Sequence, residues 1–165
     1  MNAKTYDDLI KQLRQQGSRL VGRGVYAKVF SHPTNKKVVI KVAADDKGYG
    51  AYVKWALKRQ GNPLVPIIFD HKRLTIEDII VTVTTIEKLK PIQDRFFGHA
   101  LASEFLFDEI EEALDERRYL YKLLPDYSSS VLKFLYRNSD MLDLHSGNVM
   151  LRGKQLVITD PFASY

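Results

Sequence analysis

Apolar residues recur along the chain with two different spacings, which together predict a mixture of helices and strands. Residues 5–16 carry an apolar stripe at helical spacing, with Thr5 placed to cap the helix and Gly17 placed to end it. Residues 18–43 contain two short segments of alternating apolar residues and a third, mainly apolar segment at Val38–Val42, which predict three strands joined by turns. We therefore expect a helix packed on the outside of a sheet.

The rest of the chain continues this mixture of helix and strand. The elements that it predicts are a helix over residues 45–60, strands over 64–70 and 79–86, a mainly helical region over 92–124 and a helix over 128–137. The first of these helices should begin at Asp45 or Asp46, because both acids are placed to cap it. Antiparallel strands followed by helices indicate an α+β fold.

The last part of the chain places three side chains with a shared chemistry in one short segment. Asp143, Asn148 and Asp160 flank two apolar runs, Val149–Leu151 and Leu156–Ile158, which predict a hairpin. Phosphoryl transfer needs an acid that orients the attacking hydroxyl and oxygen ligands for magnesium on the phosphates. These three residues can supply both. The alternative is an ordinary hairpin, because Asp and Asn are common in turns for their backbone hydrogen bonds.

A second signal lies between the first predicted strands. Gly22-Arg23-Gly24 falls in a strand-to-strand turn, where glycine lets backbone N–H groups approach phosphate oxygens. Lys41 follows the three apolar residues Val38-Val39-Ile40 in the third predicted strand. Burying its ammonium in a sheet would be costly without an anionic partner. A hairpin glycine pair without any ligand is the alternative explanation of the first feature.

Composition limits the classes of protein that remain. The 165 residues suggest one domain, and the absence of cysteine excludes disulfides and thiolate chemistry. No apolar run approaches the ~20 residues of a membrane span and no signal peptide is visible, so we expect a cytosolic protein. The net charge of +5 suits a nucleotide or polyanion. The basic residues are nevertheless dispersed and residues 108–116 are acidic, so direct nucleic-acid binding is not expected.

Four segments carry a resemblance to a known family. GRGVYAKVFSHP, VVIKVAADDKGYGAY, LDLHSGNVM and VITDP resemble the kinase domain of the early-gene serine/threonine protein kinases of short-tailed lytic coliphages of the T-seven type, over roughly residues 18–162. The resemblance implies a minimal protein-kinase-like fold in one domain, residues 1–165. Its parts would be an antiparallel N-lobe sheet to about residue 87, a hinge at about 87–91, and a truncated helical C-lobe with a catalytic hairpin from about 92.

The resemblance also implies a role for individual residues. Asp143 would orient the substrate hydroxyl, Asn148 and Asp160 would hold magnesium, Lys41 would contact the ATP phosphates, and His145 would lie near the γ-phosphate. His145 could stabilise the transferring charge or only hydrogen-bond within its loop. The expected nucleotide-binding residues are Gly22, Arg23, Gly24, Val25, Tyr26, Ala27, Val29, Lys41, Glu87 and Leu89.

The implied activity is ATP- and magnesium-dependent phosphorylation of serine or threonine in host bacterial proteins, in the cytoplasm of the infected host. Self-phosphorylation is an additional possibility. The chain ends at Tyr165, so the host-transcription activity of larger family members is not expected, nor is a full lower lobe.

Two departures from ordinary kinases keep alternatives open. Residues 45–60 contain no glutamate that could pair with Lys41, and Met141-Leu142 replace the usual His-Arg. One alternative is a catalytically weak or silent kinase-fold protein that binds and sequesters a host factor. Another is a small-molecule kinase of the aminoglycoside type, although it would need a large helical substrate lobe.

Overall fold

The computed structural model describes residues 3–91, 128–143, 147–153 and 155–163, which form two compact units. The first unit combines the chain up to Val53 with Ile67–Lys88, and the second combines Lys54–Pro66 with the described residues from Leu89 to Ala163. The protein is a mixed α/β protein whose strands pair antiparallel. A single domain with a hinge at about residues 87–91 stays a prediction.

The first unit is built on a five-stranded antiparallel sheet. Its strands are β1 (Leu20–Arg23), β2 (Ala27–Ser31), β3 (Val38–Ala44), β4 (Ile68–Ile76) and β5 (Ile79–Glu87), in the spatial order β1-β2-β3-β5-β4. The central strand β3 is buried along nearly its whole length, which explains its unbroken apolar sequence around Lys41. Lys41 therefore lies inside the sheet, with strands on both sides.

Helix α1 (Tyr6–Gln15) packs on one face of this sheet, as its apolar stripe predicts. Thr5 Oγ1 accepts a hydrogen bond from Asp8 N at 3.1 Å, and Gly17 ends the helix with φ +95°. The buried residues that form this core are Leu9, Ile10, Leu13, Phe30, Ile40, Val42, Ile76, Val81 and Val83. Because side chains alternate along a strand, Lys41, between Ile40 and Val42, points to the opposite face.

Strand β4 begins later than the sequence predicts. Residues 64–67 are not part of the strand, because Asn62 organises a turn in which its Oδ1 accepts from Leu64 N at 2.9 Å. Pro63 and Pro66 remove two backbone donors that a strand would need. The β4–β5 turn consists of Glu77 and Asp78, both at positive φ, as a two-residue hairpin requires.

Helix α2 (Lys47–Leu57) begins after a cap at Asp46, whose Oδ1 accepts from Tyr49 N at 2.8 Å. The prediction of a helix starting at Asp45 or Asp46 is therefore confirmed, and Asp46 is the acid that caps it. Asp45 has a different role: its φ of +53° lets the chain turn after β3, and its N–H donates to Ile80 O.

The second unit contains the predicted hairpin. Strands β6 (Lys90–Pro91), β7 (Val149–Arg152) and β8 (Gln155–Ile158) form a sheet in that order, with Gly153 at φ +65° in the β7–β8 turn. Helix α3 (Ser128–Tyr136) is followed by a 3-10 turn at Ser139–Met141. The predicted helical region over 92–124 lies outside the described residues.

Candidate active site

The glycine-containing hairpin joins β1 to β2. Gly22 lies within β1, opposite Val29 and next to a strand irregularity, and the turn itself spans residues 24–26. Gly24 N donates to Ala27 O at 2.8 Å and closes the turn. The prediction that Gly22-Arg23-Gly24 forms the turn is therefore wrong by two residues, because Gly22 and Arg23 still pair with β2.

The hairpin does not itself require these two glycines. Positive φ among the described glycines occurs at Gly17, Gly61 and Gly153, and not at Gly22 or Gly24. A Cβ at Gly22 would meet Val29 Cβ at 3.6 Å, and one at Gly24 would meet Ala27 O at 3.9 Å, which are ordinary contact distances. The absence of side chains therefore needs another reason than backbone strain, and access to the backbone is one.

The side chains at the tip of this hairpin are exposed, although the backbone of the tip is bonded to the end of β3. Val25 is 92% exposed and Tyr26 is 46% exposed. Ala44 N donates to Tyr26 O at 2.9 Å, which connects the turn to the end of β3. The apolar tip thus lies open to solvent, three residues along β3 from Lys41.

Lys41 belongs to a row of side chains that crosses the sheet. Cross-strand pairing joins Gly22 to Val29, Val29 to Lys41, Lys41 to Thr84 and Thr84 to His71. Directly opposite residues share one face of a sheet, so these residues line the face away from α1. The register therefore places two predicted nucleotide-binding residues, Val29 and Lys41, next to each other.

The ammonium of Lys41 lies on an aromatic ring. Its Nζ is 3.6 Å from the centroid of the Tyr49 ring, and Lys41 as a whole is only 8% exposed. Tyr49 is a residue that the sequence reasoning missed. The only signal that pointed to it was the absence of a glutamate in residues 45–60, which left the partner of Lys41 open.

His71 ends the row at the edge strand β4. Its Nδ1 lies 2.9 Å from Thr84 Oγ1, and Thr84 is fully buried. Burial lowers the pKa of His71, and the neighbouring Asp70 carboxylate partly opposes that effect. A neutral His71 is thus favoured beside the buried Thr84.

The segment predicted as a hinge begins with a residue that is engaged within the first unit. Glu87 Oε1 accepts from Ile67 N at 2.8 Å, and Glu87 N donates to Ile67 O at 3.0 Å. Leu89, half-buried, follows two residues later. Glu87 therefore connects the end of β5 to the residue before β4. The nucleotide contacts of Glu87 and Leu89 stay predictions.

In the second unit, backbone hydrogen bonds hold the predicted catalytic acid beside the predicted metal segment. Asp143 N donates to Pro161 O at 2.8 Å, and Ala163 N donates to Met141 O at 2.8 Å. Leu142 forms a β-bridge with Phe162. Residues 141–143 therefore pair antiparallel with 161–163, directly after Asp160, while Asp143 is exposed.

Asn148 is bonded to Asp143 through its side chain and to Thr159, the neighbour of Asp160, through its backbone oxygen. Its Nδ2 donates to Asp143 O at 2.7 Å and lies 3.4 Å from Asp143 Oδ2. Its backbone oxygen accepts from Thr159 N at 2.8 Å and from Thr159 Oγ1 at 2.9 Å, one residue before Asp160. Only the NH₂ end of an amide can donate to a carbonyl, so Oδ1 of Asn148 is the end turned away from Asp143 O.

Aromatic packing holds Phe162, which belongs to the segment paired with residues 141–143. Phe162 is 3% exposed and meets Phe134 of α3 edge-on, with centroids 5.3 Å apart. Phe134 in turn stacks on Trp55, at 4.2 Å and 9° between the ring planes. Phe162, two positions after Asp160, is thus fixed in an aromatic cluster, which restrains the segment predicted to hold a metal, residues 160–163.

Arg152 connects the hairpin to the turn at residues 62–66. Its Nη1 donates to Pro63 O at 3.1 Å and its Nη2 to Val65 O at 2.9 Å. Ile158 N donates to Leu64 O at 2.9 Å, from the other strand of the hairpin. Both strands that carry the predicted site are therefore bonded to one turn.

The chemistry of Asn148 and Asp160 fits a magnesium ion. Both offer oxygen ligands, and Asp160 Oδ1 is buried. In the part of the chain that the structure describes, no group of three or more His, Cys, Asp or Glu residues could hold a metal. A pair of oxygen ligands is nevertheless enough for magnesium when phosphates and water complete its shell. His145 lies outside the described residues.

The mixed α/β fold is compatible with a protein kinase, and comparison with known families identifies the group. The chain matches the family described as bacteriophage T7 protein kinase 0.7 over residues 1–165, and it belongs to that family. The predicted family is confirmed, and its name makes this chain a member of a group of phage protein kinases, for which ATP is the implied phosphoryl donor. No curated protein matches the chain. Among the described residues, no helix is long and apolar enough to cross a membrane.

Proposed function

We propose that this protein is a minimal protein-kinase-like enzyme that transfers phosphate from ATP to serine or threonine hydroxyls of host bacterial proteins. The observation that carries the proposal is the hydrogen-bond network of Asn148, which bonds Asp143 at one end and the residue before Asp160 at the other. The proposed place of action is the cytoplasm of the infected host. Self-phosphorylation belongs to the same proposal.

Asp143 is the residue that we assign to the substrate hydroxyl. Its carboxylate is exposed and can therefore meet a protein substrate, while its backbone is bonded to Pro161. An acid in this position accepts a hydrogen bond from the hydroxyl and aims its oxygen at the γ-phosphate. The backbone hydrogen bond to Pro161 fixes the position of Asp143, so that its exposed side chain starts from a defined place.

Asn148 and Asp160 are the residues that we assign to magnesium. Oδ1 of Asn148 is turned away from the carbonyl of Asp143, and the carboxylate of Asp160 follows the Thr159 that bonds Asn148. When bound, the ion neutralises charge on the phosphates. The protein would contribute two oxygen ligands, one just before β7 and one just after β8.

The glycine hairpin, Lys41 and the segment from Glu87 are assigned to the nucleotide. Backbone access at Gly22 and Gly24 supports a phosphate contact there, because the hairpin does not need glycine for its own geometry. Lys41 adds a positive charge in the same row of the sheet. His145 near the γ-phosphate, and Glu87 and Leu89 at the adenine, complete the proposal.

The proposal is tested with labelled ATP and magnesium, incubated with the protein alone and with bacterial lysate. Asp143→Asn is the matched control. Label in proteins, on serine or threonine and absent with the variant, supports the proposal. Label only in small solutes would instead indicate a small-molecule kinase, and no transfer at all would indicate the silent protein that sequesters a host factor. Either result would overturn the assignment.

A further inference from the structure

One contact of the buried Lys41 ammonium is with an aromatic ring on α2. Lys41 Nζ lies 3.6 Å from the ring centroid of Tyr49, well within the ~6 Å over which a cation is attracted to a ring face. Both residues are buried, Lys41 at 8% and Tyr49 at 1% exposure. Because water is excluded on both sides, this contact is stronger than the same contact at a surface.

The start of α2 fixes the ring in this place. Asp46 Oδ1 accepts from Tyr49 N at 2.8 Å, and Gly50 N donates to Asp46 O at 3.1 Å. Tyr49 therefore lies in the first helical turn, at a backbone position that the cap restrains. Its side chain packs on the sheet face that carries Lys41, opposite to the face covered by α1.

A ring differs from a carboxylate in what it does to the charge. A carboxylate pairs with an ammonium and neutralises much of its field, whereas a ring holds the ammonium by its quadrupole and carries no net charge. The contact with Tyr49 therefore restrains the ammonium of Lys41 without reducing its charge.

We propose that Tyr49 is a positioning residue for phosphoryl transfer, which holds the ammonium of Lys41 by a cation–π contact in the working position. The proposal rests on the function of Lys41 proposed above. The ring does not touch the substrate. It limits the motion of the lysine, so that the charge points toward the phosphates without a conformational search.

The decisive experiment varies the ring electronically and keeps its shape. Position 49 is changed to phenylalanine, and then to phenylalanine with one, two and three ring fluorines, each of which weakens the negative face. We expect kcat to fall step by step with fluorination, and KM for ATP to change less than kcat. Tyr49→Leu should lower kcat by about 5- to 30-fold, the size of a desolvated cation–π contact.

A control separates this effect from loss of a buried ring. Phe30 is fully buried on the α1 side of the same sheet, and Phe30→Leu should lower the melting temperature without lowering kcat of the folded protein. Equal kcat across the fluorinated series would overturn the proposal, even if Tyr49→Leu is inactive, because shape alone would then explain the loss.

A second measurement does not depend on activity. Protons above a ring face resonate upfield, so the Lys41 side-chain methylene next to Nζ should be shifted upfield in the NMR spectrum of the wild type. The shift should persist in Tyr49→Phe and disappear in Tyr49→Leu. A shift without any kinase activity would refute the proposed function of Lys41 and leave the pairing intact, whereas an unshifted resonance in an active wild type would overturn the pairing.

Discussion

Lys41 and Asp143 carry the two opposite charges of the proposed reaction, and the protein holds them by different means. Lys41 lies in the central strand of a sheet, 8% exposed, between neighbouring strands and under a ring. Asp143 is exposed, and its position comes from backbone hydrogen bonds and from Asn148. The first charge is held by its side-chain surroundings and the second by its main chain.

Under the proposed function, this difference matches what each charge would meet. A nucleotide phosphate is small and can reach a buried ammonium, so burial strengthens the electrostatic contact without blocking the ligand. A protein hydroxyl arrives on a large partner, and the acid that receives it must stay at the surface. An exposed side chain has many rotamers, so order must come from the backbone below it.

Removing the exposed charge of Asp143 should have the largest effect on the rate of phosphoryl transfer. Asp143→Asn should nearly abolish phosphoryl transfer and leave ATP affinity largely intact, because positioning the hydroxyl matters in the transition state. Asp160→Asn should also lose magnesium-dependent ATP binding. Initial rates and ATP titrations with and without magnesium check both. Retained activity in both variants, with equal ATP affinity, would falsify the assignment of these acids.

Removing the buried charge of Lys41 should have the next largest effect on turnover. Lys41→Met should lower turnover by about 100- to 1000-fold, the range seen when a single preorganised donor is lost. Methionine has a similar length and no charge, so the packing against Tyr49 is largely retained. The control is Lys28→Met, on β2, whose ammonium lies over the Tyr6 ring at 4.7 Å in a different contact. Similar turnover for Lys41→Met and the wild type would contradict the role of Lys41.

The turn at residues 62–66, which is bonded to both strands of the β7–β8 hairpin, should matter mainly for stability. Arg152→Lys replaces a fork that donates to Pro63 O and Val65 O by a single ammonium, and should lower the free energy of unfolding by about 1–3 kcal/mol. Urea unfolding measures it. Lys133→Gln, at an exposed position of α3, is the matched control and should stay within about 0.5 kcal/mol of the wild type. Equal stability of both variants would show that the Arg152 contacts contribute nothing.

The two acids before α2 should respond oppositely. Asp46→Ala removes the helix cap and should destabilise the protein by about 1 kcal/mol. Asp45→Gly relieves a φ of +53° and should leave stability unchanged or slightly raised. Thermal unfolding of both variants measures this contrast. If Asp45→Gly proves the more destabilising change, the assignment of the cap to Asp46 is wrong.

The smallest expected effect is that of removing phosphate from the protein. Pro161 keeps Asp160 out of the helical region, and residues 161–163 are paired with 141–143, so the segment proposed to bind the metal has little conformational freedom. Protein made in bacteria and treated with a phosphatase should start turnover at once and linearly, with the untreated protein as the control. A lag that disappears only after rephosphorylation would show that this segment is a switch.

Local signals in the sequence were enough for much of the fold. The apolar stripe, Thr5 and Gly17 correctly predicted α1, because capping and helical spacing act within a few residues. The two apolar runs on either side of residues 153–154 correctly predicted the β7–β8 hairpin. Proximity in the chain also brought Asp143, Asn148 and the residues next to Asp160 into one segment, where a short hairpin leaves few other arrangements.

Tertiary structure decided what depends on residues far apart or on a choice between equal candidates. Arg152 bonds carbonyls 89 and 87 positions away, and Glu87 bonds Ile67 across 20, distances over which no local pattern operates. Asp45 and Asp46 look alike in sequence, and only the turn after β3 made one a cap. The contact between Lys41 and Tyr49 joins a strand to a helix, so it depends on how α2 packs and not on a local sequence pattern.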